Sequence, residues 1–204
     1  MKNNKYKKHL SKADPVLGAL MKRIEPQIFL LRGNYFQALI HEVANQQLSR
    51  KAAQSILNKM LILFRPDSFP TPQEYLKMPD TKLRSAGFSF SKIAYTKNIA
   101  QFFIERKKEM KNIHELSDEE VIKLLTAVKG IGVWTAEMFL MSSLGREDIF
   151  SYGDLGLRKG LQKVYNLKKE PTLKQMKKIV EVWKPYRTHG ARYMWASLDK
   201  PVKK

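Results

Sequence analysis

Apolar residues recur every three or four positions along most of the chain, which is the spacing of amphipathic helices. In the clearest case Asp14 and Pro15, an N-cap residue and a proline at the first helical position, precede an apolar stripe that extends to Ile24. Capping boxes at residues 71–74 and 117–120 mark two other helix starts. No convincing alternating strand, low-complexity tract or repeat interrupts the pattern. The sequence therefore predicts an all-α fold of about ten short helices.

A turn that contains two glycines separates two of these helices. The helix that starts near Ser117 stops at residues 129–132, and the next one starts at once, with Trp134 and Met138 on one side. Glycine amides can approach a phosphate oxygen closely, and the following helix adds the positive end of its dipole. By itself the turn fits two interpretations: a helix–helix connection without a ligand, or a phosphate clamp that is blind to base sequence.

Composition narrows the class of partner. The 204 residues contain 38 Lys and Arg against 19 Asp and Glu, a formal net charge of +19. This charge favours a polyanionic partner, with nucleic acid ahead of an anionic membrane surface. No apolar run approaches the roughly 20 residues of a membrane-spanning helix, so no membrane association is expected.

Residue types that are absent or scattered exclude several chemistries. Without cysteine the chain has no disulfide, thiolate zinc site, iron–sulfur cluster or cysteine nucleophile. The 4 histidines lie far apart, with no second ligand at metal spacing, so no transition metal is expected. The lack of cysteine also suits a reducing compartment, and a cytoplasmic, nucleoid-associated location is expected.

The stretch over residues 125–160, which includes the sequences KGIGVW and YGD, resembles the helix-hairpin-helix DNA glycosylase superfamily. The resemblance is to the alkylpurine branch, of the 3-methyladenine DNA glycosylase II type, in a compact form. Residues 46–49, 86–92 and 183–187 match the same pattern, so the resemblance covers about residues 30–197. It implies two helical lobes with the active site between them.

The resemblance implies that Asp154 is the catalytic carboxylate. Cleaving a base from deoxyribose develops positive charge on the sugar, which a fixed carboxylate stabilises, or the carboxylate orients the attacking water. A ring-methylated purine is already cationic, so it leaves as a neutral base without a general acid. The alternative role for Asp154 is the N-cap of a helix that begins at Leu155, and the two roles are compatible.

Chemistry on a base inside a duplex requires the nucleotide to be flipped out, so a base pocket and a wedge are expected. By resemblance the pocket contains Trp134, Trp195 and Met138, where an indole face attracts a cationic purine. Either tryptophan taken alone is more often a core residue. The wedge is expected from Gln47, Leu48 and Ser49, with Leu48 the main residue and Phe90 entering from the opposite strand side. The alternative for Phe90 is a plain core residue.

Other contacts are expected at the hairpin and beyond it. The residues expected to contact phosphates are Lys129, Gly130, Ile131, Gly132, Thr135 and Arg187. A monovalent cation on hairpin carbonyls fits the family, and no other cofactor is expected. Trp134 stands where glycosylase-lyases of this superfamily carry a Schiff-base lysine, so β-elimination is not expected.

The sequence thus predicts a monomeric, monofunctional glycosylase that releases alkylated purines, of the 3-methyladenine and 7-methylguanine type, from duplex DNA in base excision repair. Two alternatives stay open: a non-catalytic helix-hairpin-helix DNA-binding module, and the same fold with a deaminated or neutral alkylated base as its lesion. Residues 1–13 are expected to form a flexible basic arm, and residues 14–204 a single glycosylase domain. Its middle lobe spans about residues 34–144, and both chain ends form the other lobe.

Overall fold

The computed structural model describes residues 3–26, 33–46, 48, 50–64 and 68–199, and within them it contains helices and no strand. This confirms the all-α prediction, although the helices outnumber the expected ten because several are only one or two turns long. They are α1 (Asn3–Ala13), α2 (Pro15–Met21), α3 (Tyr35–Asn45), α4 (Arg50–Ile62), α5 (Pro72–Lys77), α6 (Asp80–Ser85), α7 (Phe90–Glu105), α8 (Lys107–Lys111), the 3-10 turn Ile113–Glu115, α9 (Asp118–Thr126), α10 (Val133–Ser142), α11 (Leu155–Val164), α12 (Leu173–Glu181) and α13 (Arg187–Asp199).

Side-chain caps start the helices where the sequence predicted them. The Asp14 carboxylate accepts hydrogen bonds of 3.0 Å from the amides of Val16 and Leu17 at the start of α2. Reciprocal capping boxes open α5, through Thr71 and Glu74, and α9, through Ser117 and Glu120. These bonds satisfy first-turn amides that have no partner inside the helix.

The amino-terminal segment differs from the sequence-based expectation of a flexible arm. From Asn3 onward it is the helix α1, in which Tyr6 and Leu10 are 5% and 0% exposed. The Tyr6 ring stacks on that of His189, with centroids 3.9 Å apart. Two apolar residues four positions apart therefore anchor the helix. Among the surrounding lysines these two positions were too weak a pattern to predict a packed helix.

The chain divides into two compact units. We call Met1–Leu30 together with Gly145–Lys204 the end unit, and Leu31–Leu144 the middle unit. The expected middle lobe, from about residue 34 to 144, lies inside the middle unit. None of the helices that the model describes is long and apolar enough to cross a membrane.

The core of the end unit surrounds the fully buried Trp183. The helices α11 and α13 pack closely, since a β-carbon on Gly160 would lie 2.7 Å from the carbonyl oxygen of Met194. The carboxylate of Asp14, 6% exposed, accepts a 2.8 Å bond from the Trp183 indole and a short bond from the Tyr165 hydroxyl. Burial and this carboxylate raise the pKa of Tyr165. Asp14 thus ties three segments of the unit together.

In the middle unit α7 packs on α3 and α5, and α10 packs on α3 and α9. Tyr75 of α5 is fully buried, and its hydroxyl donates a 3.0 Å bond to Thr96 of α7. Burial raises the pKa of Tyr75 to about 12. The ring of Phe36 meets those of Tyr75 and Phe103 edge to face. This packing gives a rigid support for the turns at the ends of α3 and α9.

Candidate functional site

The Asp154 carboxylate is held by two N–H donors. Asp154 caps α11, and its Oδ1 accepts a 2.7 Å bond from the amide of Leu157. The indole Nε1 of Trp195, on α13, donates to the same oxygen at 2.8 Å. The side chain is half-buried. The structure confirms Asp154 as an N-cap, and the indole adds a restraint on the carboxylate that capping alone does not require.

The absence of a side chain at Gly156 leaves space for the contact between Asp154 and Trp195. A β-carbon at that position would lie 2.9 Å from Cδ1 of Trp195 and 3.0 Å from Oδ1 of Asp154. Real β-carbons essentially never come within 3.0 Å of another heavy atom, so the contact with Trp195 would force a shift. Glycine at position 156 is therefore part of the geometry that holds the carboxylate against the indole.

Arg187, one of the expected phosphate contacts, forms an ion pair with Asp148 in the end unit. Its Nε and one Nη donate to the two carboxylate oxygens of Asp148, at 2.8 and 3.0 Å. The hydrogen bonds and charge of Asp148 outweigh the opposing effect of burial and raise the pKa of Arg187. The pair uses Nε and one terminal nitrogen of the guanidinium, and it anchors the loop that precedes Asp154. The expected phosphate contact of Arg187 stays a prediction.

Thr188 fixes the same loop from the next position of α13. Its hydroxyl donates to the carbonyl of Arg146 at 2.7 Å and accepts from the amide of Ile149 at 3.0 Å. These bonds define the loop that leads to Asp154.

The hairpin between α9 and α10 owes its shape to Gly130. Its φ of +108° lies in the region that favours glycine, and a β-carbon would lie 2.3 Å from Cγ of Tyr95. The carbonyl of Lys129 accepts a 3.2 Å bond from Asn98, and that of Gly130 accepts one of the same length from Gln46. Gly132 caps α10 without a side-chain acceptor. Gly132 therefore offers no side-chain cap to the first turn of α10.

Two other expected phosphate contacts at the hairpin are buried. Ile131 is 5% exposed, and Thr135 is 2% exposed. The Thr135 hydroxyl accepts a 3.2 Å bond from the amide group of Gln46. Its side chain therefore serves the interior of the middle unit. Its backbone amide lies in the first turn of α10, so the expected phosphate contact at position 135 stays a prediction. The side chain of Lys129 is exposed, as a phosphate contact requires.

The expected wedge residues are only partly described. Gln47 and Ser49 lie outside the described residues. Leu48 is 41% exposed, and Phe90, at the start of α7, is 70% exposed. The guanidinium of Arg84 lies over the Phe90 ring, 5.1 Å from its centroid. The alternative that Phe90 is a core residue is therefore wrong.

The expected pocket residues fall in both units. Trp134 and Met138 lie four positions apart on α10 in the middle unit, half-buried and 9% exposed respectively. Trp195 belongs to the end unit, where it contacts Asp154. The structure therefore pairs one pocket residue with the carboxylate, and the pocket itself stays a prediction.

A family model described as HhH-GPD superfamily base excision DNA repair protein matches residues 40–185. The chain belongs to the HhH-GPD superfamily. It is 38% identical over 204 residues to DNA-3-methyladenine glycosylase 1 of Schizosaccharomyces pombe, covering 96% of this chain and 90% of the relative. It is 32% identical over 209 residues to the DNA-3-methyladenine glycosylase of Saccharomyces cerevisiae, covering 95% and 70%.

Among solved structures, the fold is similar to the 3-methyladenine DNA glycosylase of Schizosaccharomyces pombe in complex with abasic DNA. The TM-score is 0.87 at 34% identity, with 98% of this chain and 100% of that one covered. The similarity thus extends across the helices that carry the hairpin and Asp154.

Sequence reasoning missed several residues that build this HhH-GPD site. Lys92, Tyr95 and Asn98 follow at intervals of three on α7, and each contacts either the end of α3 or the hairpin. Their spacing marks a single helix face. The spacing of these residues in the sequence could have predicted that they share a helix face. It could not have predicted which segment that face contacts.

The hairpin carbonyls are the groups that would hold the expected monovalent cation. No group of three or more His, Asp or Glu side chains that could hold a metal occurs in the described parts of the chain. The hairpin carbonyls of Lys129 and Gly130 each accept one side-chain amide, and a carbonyl oxygen has two lone pairs. These oxygens therefore fit a hard monovalent cation, which stays a prediction.

Proposed function

We propose that the protein is a monofunctional DNA glycosylase that hydrolyses the N-glycosidic bond of alkylated purines, of the 3-methyladenine and 7-methylguanine type, in duplex DNA. The observation that carries the proposal is the Asp154 carboxylate, whose Oδ1 is held by the Leu157 amide and the Trp195 indole. Membership of a base excision repair superfamily and the names of the relatives support the reaction and the lesion class.

The carboxylate acts on charge that develops at the sugar. As the bond from C1′ to the base nitrogen breaks, its electron pair leaves with the base, and a cationic alkylpurine departs neutral. Positive charge then spreads over C1′ and the ring oxygen, where the fixed anion of Asp154 stabilises it. Water adds to C1′ and loses a proton, which yields an abasic site. Donors that already hold the carboxylate reduce the reorganisation needed as the charge appears.

Recognition of the lesion requires extrusion of its nucleotide. Leu48 and Phe90 present exposed apolar side chains that can replace the lost stacking. The Trp134 indole offers a face that attracts a cationic purine more strongly than a neutral one. Because Trp134 stands where a Schiff-base lysine would be needed, hydrolysis leaves the strand intact.

The hairpin provides the grip on the backbone. One phosphate can be bound by the first turn of α10, by the open backbone at Gly132 and by the exposed Lys129. A monovalent cation held by the carbonyls of Lys129 and Gly130 would add positive charge beside that phosphate. We further infer that the protein binds damaged duplex DNA as a monomer, inside the cell.

A lesion panel tests the proposal. Purified protein is incubated with duplexes that contain 3-methyladenine, 7-methylguanine, hypoxanthine, an etheno-adduct or no damage, and the released bases are quantified. Asp154→Asn keeps the N-cap, because Asn caps helices as well as Asp does, and removes the anion. Glu119→Gln, at the exposed start of α9, is the matched loss of one negative charge.

Release of the methylated purines by the wild type and by Glu119→Gln, but not by Asp154→Asn, is expected. Equal release by the wild type and Asp154→Asn would remove the carboxylate from its role. Tight DNA binding without release of any base would favour the non-catalytic binding module. Release confined to hypoxanthine or the etheno-adduct would favour the alternative lesion class.

A further inference from the structure

One hydrogen bond of the middle unit joins two chain segments that each carry an exposed apolar side chain. The ammonium of Lys92 donates to the carbonyl of Gln46 at 2.8 Å. Leu48 lies two residues after Gln46, and Phe90 lies two residues before Lys92. They are 41% and 70% exposed. The bond therefore ties together the two chain segments from which these apolar side chains project.

The ammonium of Lys92 also caps the carboxyl-terminal end of α3. It donates to the carbonyl of Ala44 at 2.9 Å in addition to that of Gln46. The last carbonyls of a helix lack partners within it, and a cation there interacts favourably with the negative end of the helix dipole. Burial lowers the pKa of Lys92. A half-buried ammonium that is engaged with carbonyls is badly placed to contact a phosphate, so its role lies within the protein.

The side chain of Gln46 makes the connection to the hairpin. Its Nε2 donates to the carbonyl of Gly130 and to the hydroxyl of Thr135, both at 3.2 Å. Gln46 is thus held by α7 through its backbone, and it holds the hairpin through its side chain. A single residue bridges the segment that carries Leu48 and the turn that is expected to grip a phosphate.

The same face of α7 supports the hairpin directly. Tyr95 packs against Gly130, and Asn98 donates a 3.2 Å bond to the carbonyl of Lys129. With Lys92 these residues occupy positions i, i+3 and i+6, which lie along one side of a helix. The helix therefore contacts both segments through neighbouring side chains.

We infer that Gln46 and Lys92 are positioning residues that hold the Leu48 and Phe90 wedge in fixed register with the hairpin, so that insertion into the duplex and the phosphate grip act on the same nucleotide. The inference rests on the proposed function. Extrusion requires the wedge side chains to enter the base stack while the hairpin holds the DNA backbone. A displacement of the wedge by about an ångström would slow extrusion, because the two contacts would no longer act on the same nucleotide. Neither residue is assigned any contact with the base or sugar.

The experiment compares lesions that have a pairing partner with lesions that have none. Lys92→Met and Gln46→Met remove the donors and keep side-chain length, and they break the bridge from opposite ends. Lys97→Met is the control: it removes the same charge from the same helix, where Lys97 pairs with Asp80. Single-turnover release of 7-methylguanine is measured opposite cytosine and opposite an abasic site, where the lesion has no pairing partner and is extruded at lower cost. Melting temperatures are recorded for each variant.

Lys92→Met and Gln46→Met are expected to slow release opposite cytosine by roughly tenfold or more, and opposite the abasic site by less than about threefold. Lys97→Met should follow the wild type in both contexts. Fluorescence of a 2-aminopurine beside the lesion should show less unstacking in the two bridge variants.

An equal loss in both contexts would overturn the inference, because the two residues would then serve only the fold. No loss in either context would overturn it as well. A wild type that releases no base in either context would instead overturn the proposed function, and the inference with it.

Discussion

The indole of Trp195 donates to the Asp154 carboxylate at 2.8 Å, and the indole of Trp183 donates to the Asp14 carboxylate at the same distance. Both pairs belong to the end unit. Trp183 and Asp14 are buried, whereas Trp195 and Asp154 are half-buried. One interaction thus occurs once in the core and once at the candidate site, so identical substitutions can separate stability from catalysis.

Trp195→Phe is expected to lower single-turnover base release by about 10- to 100-fold, because a hydrogen bond to a charged group contributes about 1.5 to 3 kcal/mol. An aromatic ring is kept, so base stacking changes little. Trp183→Phe should instead lower the free energy of unfolding by about 1 to 3 kcal/mol, since it removes a donor from the buried Asp14. Its folded fraction should release base at the wild-type rate. If the two variants show the same rate, the indole at position 195 does not position the carboxylate.

Gly156→Ala and Gly153→Ala form a second matched pair. A β-carbon at position 156 would press on Trp195 and Asp154, whereas one at position 153 meets no heavy atom within 4 Å. We expect Gly156→Ala to slow base release by about tenfold or more through displacement of the pair, and Gly153→Ala to leave it unchanged. Rates of release and melting curves of both variants check this. A wild-type rate for Gly156→Ala would show that the carboxylate tolerates displacement.

Local signals in the sequence were sufficient for most of the helices. Asp14, Thr71 and Ser117 each cap the helix that the sequence placed after them, because capping depends on residues only two or three positions apart. The prediction of a flexible arm over residues 1–13, where α1 lies, was wrong for a different reason. Its anchors, Tyr6 and Leu10, are two apolar residues among lysines, and the stacking of Tyr6 on His189 is a contact across most of the chain.

The same distinction between local and long-range signals applies to the residues of the candidate site. Gly130 is required by the turn itself, and Asp154 is an N-cap, so both carry a local signal. The side-chain contacts of Arg187 and Thr135 were not predicted, because their partners, Asp148 and Gln46, are 39 and 89 residues away in sequence. Nothing near such a residue along the chain shows that its polar group is already engaged.

The two hairpin glycines should respond differently to alanine. Gly130→Ala places a side chain at a positive φ and against Tyr95, so we expect a loss of about 2 kcal/mol or more in the free energy of unfolding. Gly132 has no heavy atom near its β-carbon position, so Gly132→Ala should melt like the wild type. If its amide approaches a phosphate, DNA affinity should still fall. Denaturant unfolding and DNA titration separate the two effects, and unchanged affinity for Gly132→Ala would remove that amide from the phosphate grip.

The strand should stay intact after base release. Trp134 supplies no amine at the position expected for a Schiff base, so the abasic product should be cleaved only after alkali or heat. Denaturing electrophoresis of reactions with and without alkali measures this, and borohydride should trap no protein–DNA adduct. Abundant nicking without alkali would contradict the monofunctional proposal, and the trapped adduct would then identify the reacting amine.

The stacking of His189 on Tyr6 should make the end unit sensitive to mild acid. Burial lowers the pKa of His189 below its ordinary 6.5, and Arg192 acts in the same direction while Glu147 opposes it. The unfolded chain therefore binds a proton more readily than the folded one. Stability is fully present above about pH 6.5 and is lost as the pH falls toward the lower pKa of the folded state.

Urea unfolding at pH 7.5 and 5.5 measures this dependence. His189→Phe keeps a ring against Tyr6 but cannot take up a proton, so it should lose less stability between the two pH values than the wild type does. His114, whose side chain is 57% exposed in the other unit, provides the control as His114→Gln. That variant should keep the wild-type difference. An undiminished difference in His189→Phe would mean that the acid sensitivity arises from other groups, because only a residue with different proton affinities in the two states can change the slope.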